Sequence, residues 1–134
     1  MAHDTFKVEV LTPEGEVFNE EVEMVSTRTG TGSIGIRAHH TPLLAMLDPT
    51  ELRLHRAGGE VLRYAQGEGF LQTSGTHALV LVDEVVPIDE LDQGTVRDRL
   101  REAEERCERA EEGTEERRQA ERDKRRYEAF AKLG

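Results

Sequence analysis

The stretch GTGSIGIRAHHTPLLAML, residues 30–47, combines a glycine-rich segment, two adjacent histidines and an apolar run. Glycine reaches backbone conformations that other residues avoid, so Gly30 and Gly32 predict a tight turn. Ile34 and Ile36 then alternate with small or polar residues, which is the pattern of a half-buried strand. The stretch therefore predicts a turn followed by a strand, and it favours an all-β fold around it.

The same alternation extends through the first 87 residues. Two further segments place apolar side chains on one face, namely Phe6, Val8 and Val10, and Leu52 and Leu54. The segment HALVLVDEVV, residues 77–86, is apolar on both faces and predicts a central, covered strand. Turn-forming residues separate the segments, at Pro13-Glu14-Gly15, Asp48-Pro49, Gly58-Gly59 and Ser74-Gly75. Short strands at this spacing predict an N-terminal all-β antiparallel sandwich over residues 1–87.

Residues 88–134 have a different composition. Lys, Arg, Asp and Glu make up 19 of the first 87 residues (6 positive, 13 negative) and 27 of the last 47 (12 positive, 15 negative). Apolar residues recur there at a helical spacing of three and four, at Val96, Leu100, Ala103, Cys107 and Ala110. Thr95 and Asp98 resemble a capping box, so this helix is predicted to begin at Thr95.

A second helix is predicted beyond Gly113, beginning near Thr114. Its apolar residues are Ala120, Tyr127, Phe130 and Ala131. The last 47 residues therefore predict a C-terminal two-helix antiparallel hairpin. Because its seam consists largely of small Ala and Cys side chains, which bury little apolar area, we expect it to pack weakly.

The chemical alternatives for the histidines and glycines receive little support. His39 and His40 point in opposite directions in an extended segment, so they do not easily share a metal ion. The glycine segment lacks the Lys-Ser/Thr of a phosphate-binding loop. Cys107 lies within the helical seam, where a small packing residue is expected rather than a nucleophile. The sequence predicts no catalytic residue, no metal site and no activity of its own.

Charge restricts the partners. The net charge of −10 makes nucleic acid and anionic membranes poor partners, and a basic protein surface a better one. The apolar runs are too short to cross a bilayer, so direct membrane insertion is not expected. The N-terminal MAHDTFKVEV shows no secretion signal, and a lone cysteine favours a reducing compartment. These features favour a protein that works by binding other proteins.

The segment VEVLTPEGEVFNEEVEMVSTRTGTGSIGIRAHHTPLLAML, residues 8–47, resembles the opening of the bacterial epsilon subunits of F-type ATP synthases. That family has a Thr-Pro-Glu/Asp-Gly turn, then a glycine-rich loop and a His-x-Pro-Leu segment. GEGFLQTSGTHALVLVDEV, residues 67–85, is similar to its Gly-Gly-Phe-Leu-Glu-Val region, and IDELD stands where the family begins its hairpin. The resemblance covers essentially the whole chain and is most specific over residues 5–90.

The resemblance implies a non-catalytic subunit of the central stalk, or rotor, of a proton-translocating ATP synthase. Such a subunit couples gamma to the c-ring and regulates ATP hydrolysis through a movable helical hairpin, which reaches the alpha and beta subunits when extended. Its implied location is peripheral, at the cytoplasmic face of the cell membrane. The implied division gives gamma and c-ring docking to residues 1–87 and the regulatory arm to residues 88–134.

The resemblance also implies particular interface residues. An exposed apolar strip on one sandwich face docks gamma, and the region of residues 30–42 lies towards the c-ring. The interface-loop residues carried over are Gly30, Gly32, Ser33, Gly35, Arg37, His40 and Pro42. Pro42 fixes its own φ and stiffens the turn beside this interface.

A departure from the family bears on nucleotide binding. Some bacterial members bind ATP through an Ile/Leu-Asp-x-x-Arg-Ala motif, helped by arginines on the second helix. Here Ile88 and Asp89 match, whereas Asp92 and Gln93 replace the Arg and Ala. A carboxylate disfavours a neighbouring phosphate group. Two alternatives therefore stay open, no cofactor or a weak regulatory ATP site formed by Ile88, Asp89, Arg122 and Arg126.

A second hypothesis needs no ATP synthase. The same elements suit a free-standing β-sandwich binding module with a coiled-coil adaptor arm, which would self-associate and ignore gamma. The glycine segment with His40 and Pro42 discriminates between the two, because an adaptor has no reason to place these residues there.

Overall fold

The computed structural model describes residues 4–133. Residues 1–3 and 134, which include His3 and the outermost residues of both predicted domains, lie outside the described residues. The strands are β1 Phe6–Thr12, β2 Gly15–Val22, β3 Met24–Thr29, β4 Gly32–Arg37, β5 Leu43–Leu47, β6 Thr50–His55, β7 Val61–Gln66, β8 Gly69–Thr73, β9 His77–Val82 and β10 Val85–Pro87. A 3-10 turn, Ile88–Glu90, leads to the helices α1 Gln93–Arg109 and α2 Glu115–Phe130.

The strands form a sandwich of two layers that are joined through one backbone pair, Thr29 with Leu47. The first layer has the order β5-β8-β9-β1-β2, and the second has the order β4-β3-β6-β7-β10. Neighbouring strands are antiparallel except β1 and β9, which run parallel. The predicted fold class, a β-sandwich followed by a two-helix hairpin, is confirmed, with this parallel pair as a feature that the sequence did not indicate.

The core lies between the two layers, where the alternation of the strands places it. Val8, Leu52 and Leu54 are fully buried, as the period-two pattern predicts. One polar pair crosses this core, since the Thr27 hydroxyl donates to Gln66 Oε1 at 2.6 Å. The Gln66 side-chain amide donates in turn to the Asp48 carbonyl at 3.0 Å, so the buried polar atoms of this pair are satisfied.

Strand β9 corrects one prediction. It lies centrally in its layer, and Ala78, Val80 and Val82 are buried as expected. Its outer face is open, however, because Leu81 is 42% exposed. The prediction of a strand covered on both faces is therefore wrong, and its apolar outer residues belong to the surface.

The helical hairpin begins three residues earlier than the capping pattern predicted. Asp92, not Thr95, is the N-cap of α1, and its carboxylate accepts the Gly94 backbone N–H at 2.9 Å. The Thr95 hydroxyl donates to the other Asp92 oxygen at 2.9 Å. For α2 the prediction is confirmed, because Thr114 is the N-cap and accepts the Arg117 N–H at 3.2 Å.

The two helices bury a narrow seam that is small in the middle of the hairpin and contains two aromatic rings near the end of α2. Their buried residues are Val96, Ala103 and Cys107 in α1 and Ala120, Tyr127 and Phe130 in α2. Ala131, which was predicted in the seam, is exposed at the C-terminal end of α2. Within residues 4–133, neither helix has the length and apolar character needed to cross a lipid bilayer.

Candidate functional site

An exposed apolar strip runs across the outer face of the first layer. It consists of Leu44 (68% exposed), Met46 (64%), Phe70 (44%) and Leu81 (42%). Met46 pairs in register with Phe70, and Phe70 pairs with Leu81, so these three side chains lie side by side on β5, β8 and β9. Contiguous exposed apolar surface of this kind marks a site of protein–protein interaction.

The strip continues onto β1. Leu11 lies opposite Leu81 in the parallel β1–β9 pair and is half-buried. Four neighbouring strands therefore contribute one apolar residue each to a single row across the layer. A row of this type offers a flat, preformed surface, because its members sit on a sheet rather than on loops.

The residues predicted for an interface loop occupy three connected places. Gly30 and Gly32 lie at the β3–β4 turn, where Gly32 has a φ of +135° that favours glycine. Ser33, Gly35 and Arg37 alternate along the exposed face of the edge strand β4. The remaining two residues, His40 and Pro42, lie in the β4–β5 connection at the other end of β4. Their role in an interface stays a prediction.

The adjacent histidines have separate partners. His39 has a φ of +66°, and its Nε2 lies 3.0 Å from an Asp4 carboxylate oxygen. His40 Nδ1 donates to the Thr41 carbonyl at 2.7 Å, and the Thr73 hydroxyl donates to the same carbonyl at 3.2 Å. Over residues 4–133, no group of three or more metal-ligating side chains comes together.

The hairpin docks on the sandwich through a small apolar cluster that is separate from the sandwich core. Its buried members are Ala65 on β7, Val96 on α1 and Tyr127 and Phe130 on α2, while Ile88 packs at its margin. The side-chain amide of Gln93 donates to the carbonyls of Phe130 (3.1 Å) and Leu133 (2.7 Å), which ties the start of α1 to the end of α2.

An ion cluster around Arg126 joins α2 to the sandwich. The Arg126 guanidinium lies 3.1 Å from Asp83 Oδ2, 3.4 Å from Glu84 Oε1 and 3.0 Å from Asp123 Oδ1, and its side chain is 14% exposed. It also lies over the Tyr127 ring at 4.8 Å. Asp123 also accepts from Arg106 Nη2 at 2.6 Å, so Asp83 and Glu84 are the two carboxylates of the sandwich that Arg126 neutralises.

Burial dominates the titration of the two sandwich carboxyl groups in this cluster. Burial raises the pKa of Asp83 and of Glu84 above the ordinary carboxyl value, although the charge of Arg126 acts to lower both. The Asp83 carboxylate lies directly over the backbone of Gly67, where a Cβ atom would stand 1.7 Å from Asp83 Oδ1. Gly67 is therefore the residue that makes room for the ion cluster.

A second charged contact lies beside the first. Arg125 donates to Glu68 Oε1 through Nη2 at 2.7 Å, and Arg122 Nε lies 3.9 Å from Glu68 Oε2. Glu68 follows β7, so α2 is held to the sandwich by charge at two neighbouring loops.

The residues of the predicted ATP site are divided among these places. Arg126 is surrounded by carboxylates, and Arg122 lies in a groove beside Met46 and Glu68. Ile88 packs against the apolar cluster and, with Asp89, lines another groove next to β7, which neither arginine lines. The structure thus does not gather the four side chains around one pocket.

Sequence reasoning anticipated an apolar strip but did not identify its residues. Leu81 was assigned to a covered strand, and Leu44 and Met46 lie in a run that shows no alternation. The carboxylates that hold α2, Asp83, Glu84 and Glu68, were also missed. The basic segment of residues 117–126 could have indicated them, because buried arginines need acidic partners.

These features are typical of a protein-binding subunit: a sandwich with an exposed apolar strip, and a helical hairpin held to it by an apolar cluster and by ion pairs. The ATP synthase delta/epsilon chain β-sandwich domain matches residues 5–88. The epsilon chain of a Sulfurihydrogenibium species is 32% identical over 128 residues, covering 96% of both chains. The chain belongs to the ATP synthase delta/epsilon family, among its epsilon chains.

A further relative agrees with this assignment, and two solved structures share the fold. The sodium-ion-specific epsilon chain of Propionigenium modestum is 39% identical over 88 residues, which are 66% of this chain and 64%, less than two thirds, of that one. A mitochondrial ATP synthase chain of Euglena gracilis has the same fold, with a TM-score of 0.75, 23% identity, and coverage of 94% of this chain and 79% of that one. A chain in the central-stalk/c-ring structure of the Tetrahymena thermophila mitochondrial ATP synthase has a TM-score of 0.62 and 17% identity, with coverage of 98% of this chain and 98% of that one.

Proposed function

We propose that this chain is a non-catalytic rotor subunit of the central stalk of a bacterial ATP synthase, peripheral at the cytoplasmic face of the membrane. It couples gamma to the c-ring and regulates ATP hydrolysis through its helical hairpin. The observation that supports this most is the apolar strip, because Leu44 and Met46 are each more than 60% exposed on a rigid sheet (68% and 64%). Exposure of apolar surface to water is unfavourable, and a protein partner that covers this surface removes the unfavourable free energy.

Gamma is the proposed occupant of the strip. The c-ring is the proposed partner of the β3–β4 turn at Gly30 and Gly32 and of the edge strand that carries Ser33, Gly35 and Arg37. In this arrangement the first layer binds gamma, and the edge strand of the second layer lies near the c-ring. His40 and Pro42 fix the connection between them, because Pro42 restricts φ and His40 bonds to the Thr41 carbonyl at 2.7 Å.

The hairpin is proposed to leave the sandwich and extend towards the alpha and beta subunits. The apolar cluster of Ala65, Val96, Tyr127 and Phe130, which we call the docking cluster, shares no described residue with the sandwich core. Release of the hairpin therefore leaves the core intact. Charged contacts at Glu68 and Arg126 supply much of the remaining attachment. A docking free energy of a few kcal/mol is the condition for a two-position element.

We propose that a nucleotide is not needed to hold the hairpin. Arg126, the cation that an ATP phosphate would require, already contacts three carboxylates of this chain. Asp92 is occupied as the N-cap of α1, and its carboxylate would repel a phosphate. Millimolar MgATP is expected to leave the melting temperature of the chain unchanged. A saturable increase would support the alternative of a regulatory ATP site.

Binding to gamma tests the proposal. A purified gamma subunit of a bacterial ATP synthase is titrated with the wild type, Phe70→Ser and Val61→Ser. Val61 is a matched control, since it is 39% exposed on the second layer while Phe70 is 44% exposed on the first. We expect Phe70→Ser to weaken binding about tenfold or more, as for an interface hot spot, and Val61→Ser to bind normally. Equal affinities for all three chains would reject the strip as the docking face.

A further inference from the structure

The outer face of the second layer carries a group of basic side chains, which we call the arginine face. Its members are Arg28 on β3, Arg37 on β4, Arg53 on β6 and Arg63 on β7. Arg53 and Arg63 are 52% and 50% exposed. This concentration is unusual in a chain whose net charge is −10. It lies on the layer opposite the apolar strip. It shares Arg37 with the edge strand proposed to face the c-ring, whereas Arg28, Arg53 and Arg63 are not among the residues proposed to bind gamma or the c-ring.

The register of the strands places like charges together. Arg53 on β6 lies directly opposite Arg63 on β7. Like charges in directly opposed positions of a sheet destabilise it, so the folded state gains nothing from this placement by itself. Glu51 contacts both guanidiniums, with a distance of 2.7 Å to Arg63 Nη2. One carboxylate is therefore shared between two cations, and one positive charge remains uncompensated.

The other two arginines add to this excess. Among residues 4–133, the ion pairs include neither Arg28 nor Arg37. Arg28 and Arg53 line one basin together with Glu51 and polar side chains of β3, β4 and β6, so the basin holds two cations and one carboxylate. Arg37 and Arg53 also flank His55, whose pKa is lowered first by burial and then by these two cations. Their field therefore reaches across the face.

Acidic residues limit the arginine face at its margins. Glu23 lies near His55, and Asp89 and Glu90 line the groove beyond Arg63. Towards Ala65 the same layer is covered by the hairpin, since Ala65 belongs to the docking cluster. The open part is thus a bounded patch on β4, β3, β6 and β7, with its positive charge at the centre.

The dimensions of the patch select the kind of ligand. Neighbouring strands are about 4.8 Å apart, so four strands spread the arginines over about 14 Å. One phosphate group is much smaller than this spread and reaches only one or two of the arginines at a time. Glutamates at positions i and i+4 of a helix are about 6 Å apart, and several of them present a flat acidic row. We propose that the arginine face docks an acidic helix of a partner protein.

The proposal is tested with a fluorescent 20-residue alanine–glutamate peptide that has glutamates at i, i+4 and i+8. Binding to the full chain is measured by anisotropy at low salt. We expect Arg53→Gln/Arg63→Gln to weaken binding about tenfold, since two charge contacts are lost. The matched control Arg97→Gln/Arg101→Gln removes equal charge from exposed positions on α1 and is expected to bind as the wild type does.

Two further variants guard against misfolding, because Glu51 loses both partners in the glutamine variant. Arg53→Lys/Arg63→Lys keeps the charge and is expected to retain most of the binding. Arg28→Gln breaks no ion pair and is expected to weaken binding about threefold. Absence of binding to the wild type, or equal binding by the two double glutamine variants, would overturn the proposal. Displacement of the peptide by equimolar pyrophosphate would also overturn it, in favour of a phosphate site.

Discussion

Replacing Arg126 with glutamine removes the guanidinium that Asp83, Glu84 and Asp123 surround at 3.0–3.4 Å. Loss of one partner from a buried ion pair costs about 3–5 kcal/mol. The Asp83 and Glu84 side chains are 24% and 35% exposed, so water offsets part of the cost and roughly 2 kcal/mol is expected. This free energy is lost from the docking of α2 on the sandwich, because Asp83 and Glu84 belong to the sandwich. A change of about 2 kcal/mol shifts the docking equilibrium about 30-fold.

Amide hydrogen exchange at pH 8 measures this shift. Peptides from α1 and α2 are expected to exchange faster in Arg126→Gln by up to about 30-fold, while peptides from β1 and β9 keep the wild-type rate. Arg118→Gln is the matched control, because Arg118 lies on the same helix, is 59% exposed and pairs with Glu115 of its own helix. Exchange that is unchanged in Arg126→Gln, or equally fast in the control, would refute the reasoning.

Three further predictions follow from the same structure. Burial raises the pKa of Asp83 and Glu84 in the docked state, so docking takes up protons: hairpin protection, measured by hydrogen exchange, should increase as pH falls from the raised pKa towards the ordinary carboxyl pKa and should not depend on these groups at higher pH. Gly67→Ala should displace the Asp83 carboxylate and accelerate exchange in α2, because the new Cβ would stand 1.7 Å from Asp83 Oδ1; an unchanged rate would contradict this. Leu54→Ala should destabilise the sandwich by about 2–5 kcal/mol in urea titration, since Leu54 is fully buried, and a loss under 1 kcal/mol would contradict the core assignment.

The strands of the sandwich could be predicted because the alternating pattern that specifies each strand lies within that strand. Residues that alternate along β1 and β6 are buried where the pattern places them, and Gly58-Gly59 forms a turn in which both residues have positive φ, +93° and +95°. The α1 cap was missed because Asp92 and Thr95 are both good N-cap residues three positions apart. In the structure both residues take part in the cap, because the Thr95 hydroxyl donates to the Asp92 carboxylate. A sequence pattern does not show which of two such neighbouring residues is the N-cap.

The candidate site was harder to predict because it depends on pairing between distant residues. Met46, Phe70 and Leu81 form one row only through the register of β5, β8 and β9, which no local pattern specifies. Arg126 is one of several basic residues in its part of the sequence, so the sequence does not indicate that it is the buried one. The Asp83 that it contacts lies 43 positions earlier. Hydrophobic periodicity locates a core well, but it does not identify which apolar residues are left on the surface.

The central claim, that the hairpin regulates hydrolysis by leaving the sandwich, is tested most directly by fixing it in place. Glu68 and Arg125, whose side chains meet at 2.7 Å, are replaced by cysteines in a Cys107→Ser chain and joined by a short, thiol-cleavable cross-linker. The cross-linked chain is added to the ATPase complex lacking this subunit. We predict that it binds but does not inhibit ATP hydrolysis, and that cleavage of the cross-linker restores inhibition. Equal inhibition before and after cleavage would contradict the account.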